Sequence, residues 1–206
     1  MTTIIDYGLG NILAFVNMYK RLNIKVAVAK TAAELKGAEK IIVPGVGAFD
    51  HAMELLDESG MRDTLDDLVL NKQVPVLGIC VGMQILARSS DEGKLAGLNW
   101  IEGRVRRLAP VDGSRLPLPH MGWNDVQPVS GNPLFDQLEA QAQFYFLHSY
   151  HLECDRREDV LAVSTYGRDF SCAINSRNIF GVQFHPEKSH HFGARLLKNF
   201  AELSQC

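Results

Sequence analysis

The stretch VPVLGICVGMQIL, Val74–Leu86, sets one cysteine between two glycines, with an apolar run before it and a helix-like run after it. An apolar run without polar alternation reads as a strand covered on both faces, the signature of a parallel sheet. The residues from Gly82 to about Ser89 read as a helix. Toward the N-terminus the same alternation repeats. TTIIDY is a short strand closed by Gly8 and Gly10. Asn11 can cap a helix to about Leu22, with Ile12, Phe15, Val16, Tyr19 and Leu22 on one face. IKVAVA (24–29) is a second strand, and Thr31 caps a short helix, AAELKG. KIIV (40–43) is a third strand, PGVGAF a loop, and helices follow near 49–57 and 61–71. Strands alternating with helices predict an α/β fold: an open mixed, largely parallel sheet with helices on both faces.

Beyond Gly93 the pattern changes. IEGRVRRL, RLPLPHMGW, AQFYFLHSYHLE and VLAVSTY are strand-like runs between turns, which predicts antiparallel extensions of the sheet in the second half. NIFGVQFH (178–185) reads as a late strand, and HHFGARLLKNFAELS (190–204) as a closing amphipathic helix. No repeat or linker divides the chain, so one domain over residues 1–206 is expected.

The 206 residues carry 46 % hydrophobic and 22 % charged side chains, ordinary values for a globular protein, and enough chain to bury a core without disulfides or metals. A net charge of −3 gives no sign of nucleic acid or an anionic membrane as partner. The four cysteines, Cys80, Cys154, Cys172 and Cys206, form no CxxC pair. Seven histidines include no HExxH, and His190 and His191 fit an exposed helix start, so no metal is expected. RVRRL (104–108) alternates like the solvated face of a strand. Without a basic n-region or an apolar span, the chain reads as cytoplasmic.

Gly78-Ile79-Cys80-Val81-Gly82 is the thiol form of the G-x-S-x-G nucleophile elbow. The spacing has a steric reason: a nucleophile on a sharp strand-to-helix turn needs glycines on either side to let neighbouring backbone pass. The helix N-terminus then favours thiolate, and the Val81 amide points where an oxyanion forms. A buried structural cysteine is the plain alternative. A thiol nucleophile needs a base, and VQFHPEKS supplies His185 and Glu187 at i and i+2. Pro186 favours extended backbone at His185, which puts both side chains on one face. A carboxylate beside an imidazole fixes its tautomer and stabilises its charge. Gly45 and Gly47 in VPGVGAF can bring backbone amides to a ligand, although the loop lacks the GK[ST] ending of a phosphate loop. A plain turn reads equally well there. No cofactor is expected.

GICVGMQ together with HPE at 185–187 resembles the glutamine amidotransferases of the Cys-His-Glu triad class. DYGLGN (6–11), PGVGAF (44–49), PHMGWN (119–124), YFLHSY (145–150) and FHPEKS (184–189) narrow the resemblance to the glutaminase subunits of imidazole glycerol phosphate synthases, over essentially the whole chain. The resemblance implies a flavodoxin-like class I fold and a glutaminase with Cys80 as nucleophile, His185 as acid and base, and Glu187 orienting it. It implies an oxyanion hole from Gly45, Val46, Gly47 and Val81. It further implies substrate contacts at Gln84, Glu92, Ser149 and Tyr150. The implied partner is a (β/α)8-barrel cyclase subunit that receives the ammonia, met at Asn11, Met121, Trp123 and Lys188. Where many relatives carry a polar residue after the asparagine, this chain has ILAF, so the first-helix contact differs. Other readings are the glutaminase subunit of another synthase, such as pyridoxal phosphate synthase, a cysteine hydrolase of γ-glutamyl peptides, and a partner-binding scaffold with an inert thiol.

Overall fold

The computed structural model describes residues 1–110, 115–129, 131–138 and 142–203. Thirteen strands are present among them: β1 (Thr2–Ile5), β2 (Val26–Ala29), β3 (Lys40–Gly45), β4 (Val76–Cys80), β5 (Ser89–Ser90), β6 (Gly103–Arg107), β7 (His120–Asp125), β8 (Gln127–Pro128), β9 (Gln143–His148), β10 (Tyr150–Cys154), β11 (Val160–Thr165), β12 (Asp169–Ser176) and β13 (Ile179–Val182). The helices are α1 (Ile12–Arg21), α2 (Ala32–Leu35), α3 (Phe49–Glu58), α4 (Arg62–Asp66), α5 (Val81–Gln84) and α6 (His190–Glu202).

The main sheet has the order β2-β1-β3-β4-β13-β12-β11-β8. Its first five strands are mutually parallel, and the last three continue it antiparallel. The apolar runs read from the sequence are its centre: Ile41, Ile42, Val43, Val76, Leu77, Val182 and their neighbours are buried on both faces. Phe15 and Tyr19 of α1, Phe49, Met53 and Leu56 of α3, and Leu196, Leu197 and Phe200 of α6 supply the covering layers. The second half also forms two small separate sheets, β10-β6-β5 and β7-β9, so its antiparallel strands do not all extend the main one.

Several boundaries differ from the sequence reading. The helix after Cys80 ends at Gln84 instead of near Ser89. The carbonyls of Ile85, Leu86 and Ala87 accept hydrogen bonds from the amides of Leu98, Asn99, Trp100 and Ile101, so they cannot continue the helix. RLPLP stays outside the sheets, because its prolines lack donors, and strand geometry begins at His120. The last strand stops at Val182, and the chain then bends so that the His185 amide bonds the Tyr145 carbonyl of β9 at 2.8 Å. The closing helix ends at Glu202, and Ser204 of its expected span and Cys206 lie outside the described residues.

Strand register positions the site. Gly45 lies opposite Cys80, and Val182 opposite Ile79, so β3, β4 and β13 end side by side. Ligands gather at this carboxyl edge of open α/β sheets.

Candidate active site

Cys80 ends β4 with φ 55° and ψ −113°, a conformation L-residues rarely adopt. The flanking glycines are sterically required. A Cβ on Gly82 would sit 1.9 Å from the Val43 carbonyl oxygen, and one on Gly78 would sit 2.5 Å from the Gly82 oxygen. Helix α5 therefore lies directly on the backbone of β3, and the elbow is fixed from both sides. The sulfur lies 3.9 Å from the Leu147 carbonyl and 3.8 Å from Gln183 Nε2.

His185 is buried, and its Nδ1–H donates to Glu187 Oε1 at 2.8 Å. His185 and Cys80 line the same cavity. An extended segment would put His185 and Glu187 on one face. Instead, Pro186–Lys188 form a 3-10 turn, which folds Glu187 back onto the ring. The pairing is as expected, but its cause is the turn. Ser189 fixes that turn: its hydroxyl donates to the His185 carbonyl at 2.6 Å and accepts from the Tyr145 amide at 3.0 Å. Burial works against a charge on His185. Cys80 and Glu187 beside the ring outweigh it and raise the pKa to about 9. Glu187 Oε2 is buried without a hydrogen-bond partner among the described residues.

A cavity of about 300 Å³ opens beside the sulfur. Cys80, Val81, Val46, Gly47, Gln84, Glu92, Ser149, Tyr150 and His185 all line it, so residues from five separate stretches converge there. Gly45 does not line it. A Cβ at Gly45 would meet the Gly82 amide at 2.6 Å, so this glycine permits the approach of α5. Gly47 has φ +100°, and Val46 is exposed. Glu92 Oε2 accepts from the Phe49 amide at 2.9 Å and so caps α3, where no other side chain does. The Gln84 amide nitrogen is committed to the Tyr150 carbonyl at 3.0 Å and Gln183 Oε1 at 3.1 Å, which leaves only its oxygen for a ligand. Two buried residues carry no clear signal in the sequence: His148, which lines the cavity, and Gln183, whose amide nitrogen faces the sulfur. A larger cavity, about 670 Å³, lies at the opposite end of the sheet near Pro75 and Asn178 and holds none of these groups.

Leu147 of the cavity lining pairs with Met121 of β7, which extends the surface beside the cavity. Met121 and Trp123 are 66 % and 45 % exposed, and β7 pairs them with Leu147 and Tyr145 of β9 on the same outward face. Trp123 stacks on His190 with ring centroids 5.1 Å apart, and Lys188 lies over the Tyr145 ring. Asn11 caps α1 through the Ala14 amide at 3.1 Å, and Leu13, within ILAF, is 72 % exposed. Asn11 and Lys188 border one further surface cavity with Glu187 and His190. No group of metal-ligating side chains occurs among the described residues, and no helix there is long and apolar enough to cross a membrane.

A sheet-edge thiol on a strained elbow, paired with a buried imidazole and carboxylate, defines a class of protein. The family model for glutamine amidotransferase class-I matches residues 3–203, and the chain belongs to that family. Among curated relatives, the imidazole glycerol phosphate synthase subunit HisH of Bdellovibrio bacteriovorus is 62 % identical over 204 residues, 98 % of this chain and 100 % of the relative. The protein of the same name from Leptospira borgpetersenii is 55 % identical over 205 residues, again 98 % and 100 % of the two chains. In fold, the chain is similar to a solved glutamine amidotransferase, with a TM-score of 0.74 at 20 % identity and 97 % of each chain covered. The structure of PurLQS from Thermotoga maritima gives a TM-score of 0.72 at 15 % identity, covering 97 % of this chain and 96 % of that one.

Proposed function

We propose that the chain is the glutaminase subunit of an imidazole glycerol phosphate synthase and hydrolyses glutamine through a thioester on Cys80. The observation that carries this reading is the Cys80–His185–Glu187 arrangement in a chain of which 98 % aligns at 62 % identity to a HisH subunit. The Cys80 thiolate attacks the side-chain amide carbon of glutamine. The oxyanion forms against the Val81 amide and the Val46–Gly47 backbone. His185, already protonated, gives its proton to the departing nitrogen, and ammonia leaves with a glutamyl thioester behind it. The neutral imidazole then takes a proton from water, whose attack releases glutamate and restores the thiolate. Glu187 holds the tautomer and charge of His185 throughout. Glu92 suits the α-ammonium of glutamine through the carboxylate oxygen that does not cap α3, and Ser149 and Tyr150 suit its carboxylate.

The ammonia goes to a cyclase subunit of (β/α)8-barrel form, in histidine biosynthesis in the cytoplasm. The outward face of β7, with Met121 and Trp123, has the exposed aromatic and methionine character of an interface core, flanked by Asn11 and Lys188. The loop at Val46–Gly47 supplies a switch. One oxyanion donor is worth about 10²–10³ in rate, so a peptide that turns inward only when the partner holds its nucleotide gates the enzyme. Glutaminase assays on the chain alone and with a barrel cyclase and its nucleotide test both parts. Weak activity alone and a large rise in the loaded complex are expected; equal rates remove the gate, and no glutamate in either case removes the function.

A further inference from the structure

Behind the thiol runs a series of buried polar side chains, and their contacts fix the direction of each hydrogen bond. Gln183 is 0 % exposed, and Gln84, His148 and His120 are also buried. The Tyr150 carbonyl can only accept. It takes one bond from Gln84 Nε2 at 3.0 Å and another from His148 Nδ1 at 2.8 Å. Gln84 thus presents its nitrogen, so its second contact, 3.1 Å to Gln183, must end on an oxygen. That assigns Gln183 Nε2, a donor, to the place 3.8 Å from the Cys80 sulfur. On the other side, burial keeps His148 neutral. With the proton on Nδ1, its Nε2 accepts from His120 Nδ1 at 3.0 Å. His120 Nε2 then accepts from Asn124 Nδ2 at 3.2 Å. The His120 ring is clamped between Phe146 and Tyr166, with centroids 4.8 and 4.1 Å away. His120 and Asn124 alternate along β7 with Met121 and Trp123, so one face of the strand carries the chain and the other is exposed.

We propose that Gln183 is a positioning residue for the Cys80 sulfur, its amide donating to the thiolate and held in that orientation by a hydrogen-bond chain through Gln84, the Tyr150 carbonyl, His148 and His120 to strand β7. An amide N–H donated to the sulfur restricts its rotation and fixes where it points.

The inference rests on the proposed glutaminase reading only for its turnover measurement; alkylation of Cys80 tests it independently. Iodoacetamide labelling of the full chain at fixed neutral pH, read by mass on the Cys80 peptide, is compared for wild type, Gln183→Met and His120→Phe. Gln183→Met keeps the volume and removes the donor. It is expected to slow labelling roughly tenfold or more, the size of one hydrogen bond to a charged group, and to lower kcat by a similar factor with KM within about twofold. His120→Phe keeps the ring stack and breaks the chain, and is expected to slow labelling several-fold. Labelling of Gln183→Met at the wild-type rate overturns the role of Gln183. A slow Gln183→Met with His120→Phe at the wild-type rate overturns the link to β7. Should Gln183→Met not fold, Gln183→Leu removes the same donor, and labelling of that variant at the wild-type rate overturns the role of Gln183. Labelling that follows the expected pattern in a wild type without glutamine turnover refutes the proposed function and leaves this inference standing.

Discussion

Cys80 is held at a positive φ that costs a non-glycine residue about 1–3 kcal/mol, a strain that the packing of α5 on β3 must offset. The His185 imidazole is the group most shaped by its surroundings. Buried, it would be neutral; beside Cys80 and Glu187 it is charged up to about pH 9. A proton donor with a raised pKa is present below that value and lost above it. Glutaminase kcat is therefore expected to hold toward pH 9 and fall beyond it. Glu187→Gln removes a group that raises the His185 pKa, so the alkaline limb should move to lower pH and kcat should fall by about 10²-fold or more, which a pH–rate profile reads directly. At this scale the sequence was informative where spacing imposes chemistry. G-x-C-x-G and HPE marked Cys80, His185 and Glu187 as candidates, because a nucleophile elbow and a His–carboxylate pair need those residue types. Gln183 was not legible, because nothing in VQFHPEKS tells a buried amide facing sulfur from one facing solvent.

Among the elements, β3, β4, β13 and α5 form the mount of the site, and the mount tolerates no added atom at the elbow. Gly82→Ala would put a methyl 1.9 Å from the Val43 carbonyl oxygen, a clash with backbone that no rotamer relieves. Overpacking costs typically about 1–3 kcal/mol, and more where the obstacle is main chain. Gly82→Ala is expected to lower the urea midpoint accordingly and to depress activity further by tilting α5. Gly37→Ala is the control, since a Cβ there meets nothing within 4 Å. The parallel half of the fold was legible because unbroken apolar runs between helices leave one arrangement open. The length of α5 was not, because the loop at 97–101 takes the carbonyls that a longer helix needs. RLPLPHMGW and AQFYFLHSYHLE read as strand-like runs that extend the sheet. That reading did not reveal that β7 and β9 leave the main sheet to pair with each other, since a two-residue period says nothing of the partner strand.

Over the whole molecule, the charge states of its buried histidines set how the fold responds to pH. Burial lowers the pKa of His120 to about 4, of His148 to about 3 and of His151 to about 4. All three are neutral in the fold, whereas an unfolded chain protonates them near 6.5. Below that value the unfolded state takes up more protons, so stability falls as pH drops from about 6.5 toward 4 and 3. His185 has the opposite sign: its stabilisation is complete below about 6.5 and lost as pH rises through about 9. Urea unfolding between pH 4 and 8 is expected to show the acid-side loss, and His151→Phe to reduce it. The same fold that keeps these rings dry brings the ends of three strands together around one thiol, and the account stands on what that thiol does. The most direct test is to quench the chain during glutamine turnover and read the mass of the Cys80 peptide. A glutamyl adduct on Cys80, absent in Cys80→Ser along with glutamate release, is the expected result. Glutamate released without an adduct, or released by Cys80→Ser, would contradict it.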